Sequence, residues 1–192
     1  MLRRLAAVIL GVASIACGGG STAPADETPY DYEFADPAGD TGVATANPDS
    51  LKAIDLVKVS GRVDRNTLTV ALEFAEPVVR WTAAAPNSLD GFIDLDPNIT
   101  GALETQTGYY LDLRDDGFGK AGLVSAKTRT VTLVKIRFDG TRVDVEIPRA
   151  AISSTADADN QFQMLVTVGA RRRRPTDLSP NTGAHTLKPP AP

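Results

Sequence analysis

The stretch Thr130-Val-Thr-Leu-Val-Lys-Ile-Arg-Phe-Asp-Gly-Thr-Arg-Val-Asp-Val-Glu-Ile147 decides the fold class of this chain. Apolar and polar residues alternate on both sides of Asp139-Gly140, as they do in β-strands with one buried face. Asp-Gly supplies the positive φ values of a tight turn, so this stretch is predicted to be an antiparallel hairpin. In its first strand the apolar residues change face between Leu133 and Val134, which predicts a β-bulge.

The same alternation recurs along most of the chain. Strands are predicted at Val57 to Val63 and Leu68 to Phe74, joined by a turn at Asp64-Arg-Asn66, and at Phe162 to Val168. Shorter strands are predicted at Tyr32–Ala35, Gly91–Asp96, Tyr109–Leu113 and Gly122–Ser125. Only Pro148 to Ile152 is typical of a helical turn, because proline is favoured at a helix start.

About nine strands and almost no helix predict an all-β domain, specifically a two-sheet antiparallel β-sandwich over residues 30–186, with a barrel as the alternative. The chain has 42% apolar residues and a net charge of −4, which excludes disorder throughout. Its single cysteine excludes a disulfide scaffold. Roughly 155 structured residues can bury over two-thirds of the unfolded surface, so metal is not required for folding.

The first seventeen residues are typical of a bacterial lipoprotein signal. A basic start, Met1-Leu-Arg-Arg4, precedes a short apolar run and then small residues that end at Cys17. An apolar run of about a dozen residues is too short to span ~30 Å of hydrocarbon, so we expect cleavage before Cys17 and lipidation of its thiol. An ordinary secretory peptide is the alternative. Residues 17–29 are rich in Gly, Pro, Ser and Thr and are predicted to be a flexible tether, and residues 187–192 a disordered tail.

Removing residues 1–16 removes Arg3 and Arg4 and leaves 18 basic and 24 acidic side chains, a net charge of −6. This acidity argues against nucleic acid as a partner. The expected partners are the membrane, through the N-terminal lipid, and a polysaccharide or an envelope protein. Gly18 and Gly19 after the cysteine are compatible with sorting to the outer membrane, so the expected location is the cell envelope.

A series of short motifs follows in order along the mature chain: Phe34-Ala-Asp-Pro-Ala-Gly-Asp40, Asp55-Leu-Val-Lys-Val59, Gly91-Phe-Ile-Asp-Leu-Asp-Pro-Asn-Ile-Thr-Gly101, Gly108-Tyr-Tyr-Leu-Asp112, Ile147-Pro148 and Asp177-Leu-Ser-Pro-Asn-Thr-Gly183. This series resembles exported bacterial β-sandwich domains of the carbohydrate-binding-domain-like type. DOMON domains, family-9 carbohydrate-binding modules and the C-terminal domains of some glucodextranases and amylopullulanases are related sandwiches. The resemblance implies a β-sandwich, a bound calcium ion and a carbohydrate ligand.

The acids of the first two motifs are candidate calcium ligands. Calcium takes six to eight oxygens at about 2.3–2.6 Å, and Asp36 and Asp40 lie on either side of a Pro/Gly turn with Asp55 at the next strand. Capping of backbone amides in the turn explains Asp36 and Asp40 equally well. Asp94 and Asp96 lie on one side of a strand end and are a second candidate pair, although solvated or amide-bonded acids are the favoured interpretation there.

Further candidates carry other chemistry. For Asp115-Asp116-Gly117, turn formation is a sufficient explanation. Trp81 and Tyr110 are candidate sugar-stacking rings, with core packing as the alternative. Arg171, Arg172, Arg173 and Arg174 form a candidate anion site for phosphate, an anionic polysaccharide or a lipid headgroup, with a solvated edge as the favoured alternative.

Catalytic candidates are few. His185 is predicted to be a spectator in the Pro-rich end of the chain, and Met164 is on the apolar phase of a strand, so we expect no haem. No nucleotide and no enzymatic activity are expected. The sequence therefore predicts a lipid-anchored binding or structural module of the cell envelope, with calcium and carbohydrate as candidate ligands. The alternatives are a glycoside-active envelope enzyme or its accessory subunit, and an assembly scaffold that uses the arginines.

Overall fold

The computed structural model describes residues 28–40, 54–82, 85, 88–96, 108–152, 161–170, 177–180 and 183–189. Their regular structure is nearly all β, which confirms the predicted fold class. The strands are β1 (Tyr30–Ala35), β2 (Leu56–Val63), β3 (Thr67–Phe74), β4 (Leu89–Asp96), β5 (Tyr109–Asp112), β6 (Lys120–Ser125), β7 (Val131–Asp139), β8 (Arg142–Pro148), β9 (Phe162–Ala170), β10 (Asp177–Ser179) and β11 (His185–Leu187). The helical turn predicted after Pro148 is α1 (Arg149–Ile152).

The strands pair in the order β1-β2-β3-β8-β7-β6-β5-β4-β9-β10, every pair is antiparallel, and β11 also pairs with β9. The two ends of this path meet. The Leu56 amide at the start of β2 donates a 2.6 Å hydrogen bond to Asp177 Oδ2 in β10, and the Phe34 ring of β1 stacks on His185 of β11 at 4.0 Å. We call this junction of β1 and β2 with β10 and β11 the seam. The sheet is nearly closed, and its division into two separate sheets stays a prediction.

The core lies inside the curled sheet and follows the alternation in the sequence. In β3 the buried inward residues are Leu68, Val70, Leu72 and Phe74, and β8 contributes Val143, Val145 and Ile147. Burial of these side chains stabilises the fold by about 1.5–3 kcal/mol for each large residue. The opposite, outward side of each strand, which we call the outer face, is where polar residues alternate with the core residues.

The predicted hairpin of β7 and β8 is confirmed. The turn lies one residue further along than predicted: Asp139 is the last residue of β7 and pairs with Arg142, so Gly140 and Thr141 form the turn. Of these two, only Gly140 has a positive φ, 63°, the conformation that favours glycine at the first position of a two-residue hairpin turn. The predicted bulge in β7 is wrong, because the pairing of Val131 to Lys135 with β6 runs without a shift. Val131 and Leu133 instead lie on the outer face of β7 and are 62% and 61% exposed. A register shift is found in β2, between Leu56 and Lys58.

The end of the domain lies one residue further along than predicted. Leu187, placed in the tail by the sequence analysis, is the last residue of β11 and is fully buried. It pairs with Phe162 of β9, so a core contact holds it in the domain. Within the described ranges, no helix has the length and apolar character that crossing a membrane requires.

Candidate functional site

Three carboxylates converge at the seam. Asp36 directly follows β1, Asp40 ends the turn after it, and Asp177 opens β10. One oxygen of each carboxylate lies within 4.8 Å of an oxygen of each of the others. Among the described residues this is the one group of three or more acidic, histidine or cysteine side chains close enough to share a metal ion. We call it the seam acid cluster.

The backbone fixes the two N-terminal members. The Asp36 amide donates to the Val57 carbonyl at 2.9 Å, which anchors the start of the turn on β2. Gly39 has a φ of 83°, a conformation that lets the chain reverse before Asp40. The Gly39 amide donates to Asp55 Oδ2 at 2.9 Å. Asp55 therefore lies beside the cluster and holds the turn, so both proposed roles of these acids, turn formation and cation binding, remain compatible with the geometry.

Asp177 is the member that the sequence analysis did not assign. Its Oδ2 accepts from the Leu56 amide and its Oδ1 accepts from the Leu178 amide at 2.8 Å, and the residue is only 3% exposed. Its motif was part of the family-like series, but Leu56 is 121 residues away along the chain. Only closure of the sheet brings Asp177 to Asp36, and no local pattern signals that closure.

Burial and repulsion from neighbouring carboxylates disfavour the charged forms of Asp36 and Asp177. Burial, with added repulsion from Asp177 and Asp40, raises the pKa of Asp36 to about 6. Burial also raises the pKa of Asp177, although the two backbone amides that it accepts from lower it in part. Asp36 is 7% exposed, and its Oδ2 has no hydrogen-bond partner in the described part of the chain. A buried, unsatisfied carboxylate oxygen beside two further carboxylates is a position that a cation would stabilise.

A buried polar chain extends from the cluster to His185. Ser179 is fully buried and bonds to Asp36, which lowers that carboxyl's pKa in part, and its Oγ lies 2.9 Å from His185 Nε2. A hydroxyl has one proton, so Ser179 donates to Asp36 and accepts from the Nε2–H of a neutral imidazole. Burial lowers the pKa of His185 to about 4, which keeps the ring neutral at pH 7.

His185 was predicted to lie in the Pro-rich end of the chain as a spectator; the structure instead places it in β11, paired with Met164 of β9. The group Asp36, Ser179 and His185 has the residue types of a hydrolase triad in the wrong order. In a triad the imidazole lies between the acid and the nucleophile, whereas here the serine is in the middle and has no solvent access.

Asp94 and Asp96 lie on the same side of β4, as predicted, but they do not join a three-acid group within the described residues. Asp96 is almost fully buried. Asp94 is half-buried on the outer face and pairs across the sheet with Tyr110 and Leu165, and burial raises the pKa of its carboxyl. A shared cation at this pair stays a prediction.

Asp115 and Asp116 form the predicted turn. Asp115 Oδ1 accepts from the Gly117 and Gly119 amides, and Asp116 Oδ1 accepts from the Phe118 amide at 2.7 Å. These bonds satisfy the two carboxylates within the loop, and they present Phe118, which is 89% exposed.

The candidate stacking rings occupy different surroundings. Trp81 is half-buried after the β3 strand end. Tyr110 is half-buried on the outer face of β5, where its ring contacts Phe92 edge-on, with centroids 6.1 Å apart and planes at 73°. Tyr109 packs against the core, so the adjacent tyrosines lie on opposite faces of the sheet. Phe92 was not among the predicted rings, and it lies on the same side of β4 as Asp94.

A separate open groove of about 660 Å³ crosses the outer face of β3, β7 and β8. Neither Trp81 nor Tyr110 lines it. Its floor is charged, with Lys135 and Glu146 paired at 2.9 Å and Arg142 and Asp144 paired at 2.7 Å. The predicted sugar-stacking residues and this groove are therefore different parts of the surface.

Cys17 and Arg171 to Arg174 lie outside the described residues, so lipidation and anion binding stay predictions. Comparison of the chain with protein-family models and with curated proteins finds no match.

Proposed function

We propose that this chain is an exported, lipid-anchored binding module of the cell envelope whose sheet is held closed by a calcium ion at the seam acid cluster. The observation that carries the proposal is the convergence of Asp36, Asp40 and Asp177 within 4.8 Å, with Asp36 Oδ2 buried and without a hydrogen-bond partner in the described part of the chain.

The chemistry of the donors supports calcium. Calcium prefers carboxylate and carbonyl oxygens and accepts flexible arrangements of six to eight ligands. The cluster supplies three carboxylates, and the Asp55 carboxylate lies beside them as the acceptor for the Gly39 amide. The three members of the seam acid cluster are all aspartates, with no histidine or cysteine among them, which disfavours zinc and copper.

The position of the cluster gives the ion a structural role. Asp36 and Asp40 belong to the N-terminal end of the sheet, and Asp177 belongs to the C-terminal end. An ion bound to all three would link the two ends and offset the burial and the repulsion that raise the pKa of Asp36. Extracellular calcium modules bind with dissociation constants of about 10⁻⁴–10⁻³ M, a range suited to a domain outside the cytoplasm.

The test is thermal unfolding of the full chain in EDTA and in about 2 mM CaCl₂, a concentration above that range of dissociation constants. We expect calcium to raise the Tm of the wild type and to have no effect on Asp40→Asn. The matched control is Asp144→Asn on the charged outer face, which should keep the calcium response. A wild-type Tm that is the same in EDTA and in calcium would refute the calcium site.

The anchor has an independent test. Cys17 is the proposed lipid attachment site at the end of the signal. We expect Cys17→Ser to move the protein from the membrane fraction to the soluble fraction, with its calcium response unchanged. Unchanged membrane association would overturn the anchor and leave the calcium proposal standing.

A further inference from the structure

The outer face of β4, β5, β6 and β7 carries an apolar surface where the alternation predicts polar residues. We call this surface the apolar face, and it consists of Phe92, Tyr110, Val124, Val131 and Leu133. Phe92 is 37% exposed. Val131 and Leu133, where a bulge was predicted, are 62% and 61% exposed.

The register makes these residues one continuous surface. Phe92, Asp112, Gly122 and Leu133 are successive cross-strand partners, and so are Asp94, Tyr110, Val124 and Val131 in the neighbouring row. Cross-strand partners lie about 4.5–5.5 Å apart, so the two rows extend over four strands, with the Asp112–Arg114 ion pair between Phe92 and Gly122 in the first row. The Phe92 and Tyr110 rings contact each other, and a Cβ added at Gly122 would lie 3.5 Å from Val131 Cγ1.

The exposed valine and leucine side chains form no hydrogen bonds with water, and their exposure is unfavourable. Covering apolar surface is worth about 25 cal/mol for each Å². A contiguous exposed patch of this kind marks a contact site more often than scattered single residues do. The edge-on ring pair and the aliphatic neighbours suit the side chains of another protein better than the flat face of a sugar ring, which stacks on a single exposed aromatic plane.

We propose that the apolar face binds the same face of a second copy of this chain. The two borders of the face have opposite charge, as an isologous contact requires. The β4 and β5 side carries three carboxylates, Asp90, Asp94 and Asp112, and one cation, Arg114, which pairs with the buried Asp90 and with Asp112, so this side has an excess of negative charge. Lys120 and Lys135, which are cross-strand partners, lie on the β6 and β7 side. A second copy turned by 180° about an axis parallel to the strands brings its β4 border over the β7 border of the first.

The sizes of the side chains are complementary in the same arrangement. The rings of Phe92 and Tyr110 occupy the β4 and β5 half, and Gly122 and Val124 leave a lower surface in the β6 half. After the 180° turn, each ring faces the shallow half of the other copy. Lys135 is paired with Glu146 across an exposed part of the sheet, and such surface pairs contribute only about 0–1 kcal/mol, so Lys135 is free to reorient toward an acid of the second copy.

The test is sedimentation velocity of the purified full chain over a range of concentrations. We expect a monomer–dimer equilibrium that Leu133→Lys weakens by tenfold or more, since a charged group that must lose water replaces an apolar side chain that faces Phe92 of the second copy. The matched control is Phe118→Ser, which removes a more exposed aromatic residue outside the apolar face and should leave the equilibrium unchanged.

A second measurement protects the proposal against a folding defect in Leu133→Lys. In a Cys17→Ser background, the double variant Phe92→Cys and Leu133→Cys should form an intermolecular disulfide. The single variant Phe118→Cys in the same background should not. A monomer at all concentrations overturns the proposal, and so does a dimer that Leu133→Lys leaves intact. Binding of dextran by a monomer, lost in Leu133→Lys, would also overturn it and assign the face to carbohydrate.

Discussion

Acidic side chains serve opposite purposes in two regions of this sheet. On the outer face of the β7–β8 hairpin, Glu146 and Asp144 each have a cation at 2.7–2.9 Å and remain open to water. At the seam, Asp36 and Asp177 are buried and face other carboxylates. In the hairpin each acid is neutralised by the cation beside it, whereas the seam acids need a proton or a bound cation to offset their charge. The number of acids in a region therefore does not indicate a binding site, but buried acids that face one another do.

The largest expected loss of stability comes from removing an acid that accepts a buried backbone hydrogen bond, compared with removing an acid that forms only an exposed ion pair. Asp177→Ala leaves the buried Leu56 amide without its acceptor and should destabilise the apo protein by about 2–3 kcal/mol. Asp144→Ala removes only an exposed ion pair and should cost less than about 0.5 kcal/mol. Urea denaturation in EDTA measures both. Equal losses for the two variants would contradict the contrast.

The hairpin could be predicted from sequence because its determinants are local. Alternation specifies the strands and Gly140 specifies the turn, and the ion pairs join residues two apart in one strand or opposite each other in the two strands. The fold class, the turn at Asp64 and the turn at Asp115 follow from patterns of the same short range.

Only part of the seam acid cluster could be predicted from the sequence. Asp36 and Asp40 were chosen correctly as neighbours because a turn of four residues joins them, but Asp177 reaches them through closure of the whole sheet. The prediction for Val131 and Leu133 was wrong for a different reason. The prediction assumed that every apolar residue in a strand turns to the core, whereas the register keeps these two outside.

The second prediction uses the Asp36 pKa of about 6, which lies above the ordinary value of 3.8. A raised pKa means that ionisation destabilises the fold, so the loss is complete above pH 6 and is relieved as the pH falls toward 3.8. Asp36→Asn imitates the protonated acid. In EDTA it should stabilise the protein by about 1 kcal/mol at pH 7 and by less than half of that at pH 4.5.

Urea denaturation of the wild type and Asp36→Asn at both pH values gives this difference, in which titrating groups that do not interact with Asp36 cancel. Calcium at pH 7 should reverse the sign, because the variant lacks one ligand of the proposed ion. A variant less stable than the wild type at pH 7 in EDTA would show that Asp36 is not strained by its neighbours.

The smallest effect is the coupling between Lys135 and Glu146. Their charged groups are 2.9 Å apart, with 66% and 49% of the side chains exposed. A double-mutant cycle to alanine should give a favourable coupling of about 0.2–0.5 kcal/mol that declines in high salt, because water and ions screen exposed charges. The matching cycle with Asp36→Asn and Asp177→Asn in EDTA should give an unfavourable coupling between the wild-type acids that salt weakens less, because both groups are buried. Couplings of the same sign in both cycles would mean that the seam acids, like the hairpin acids, already have their counterions within the chain.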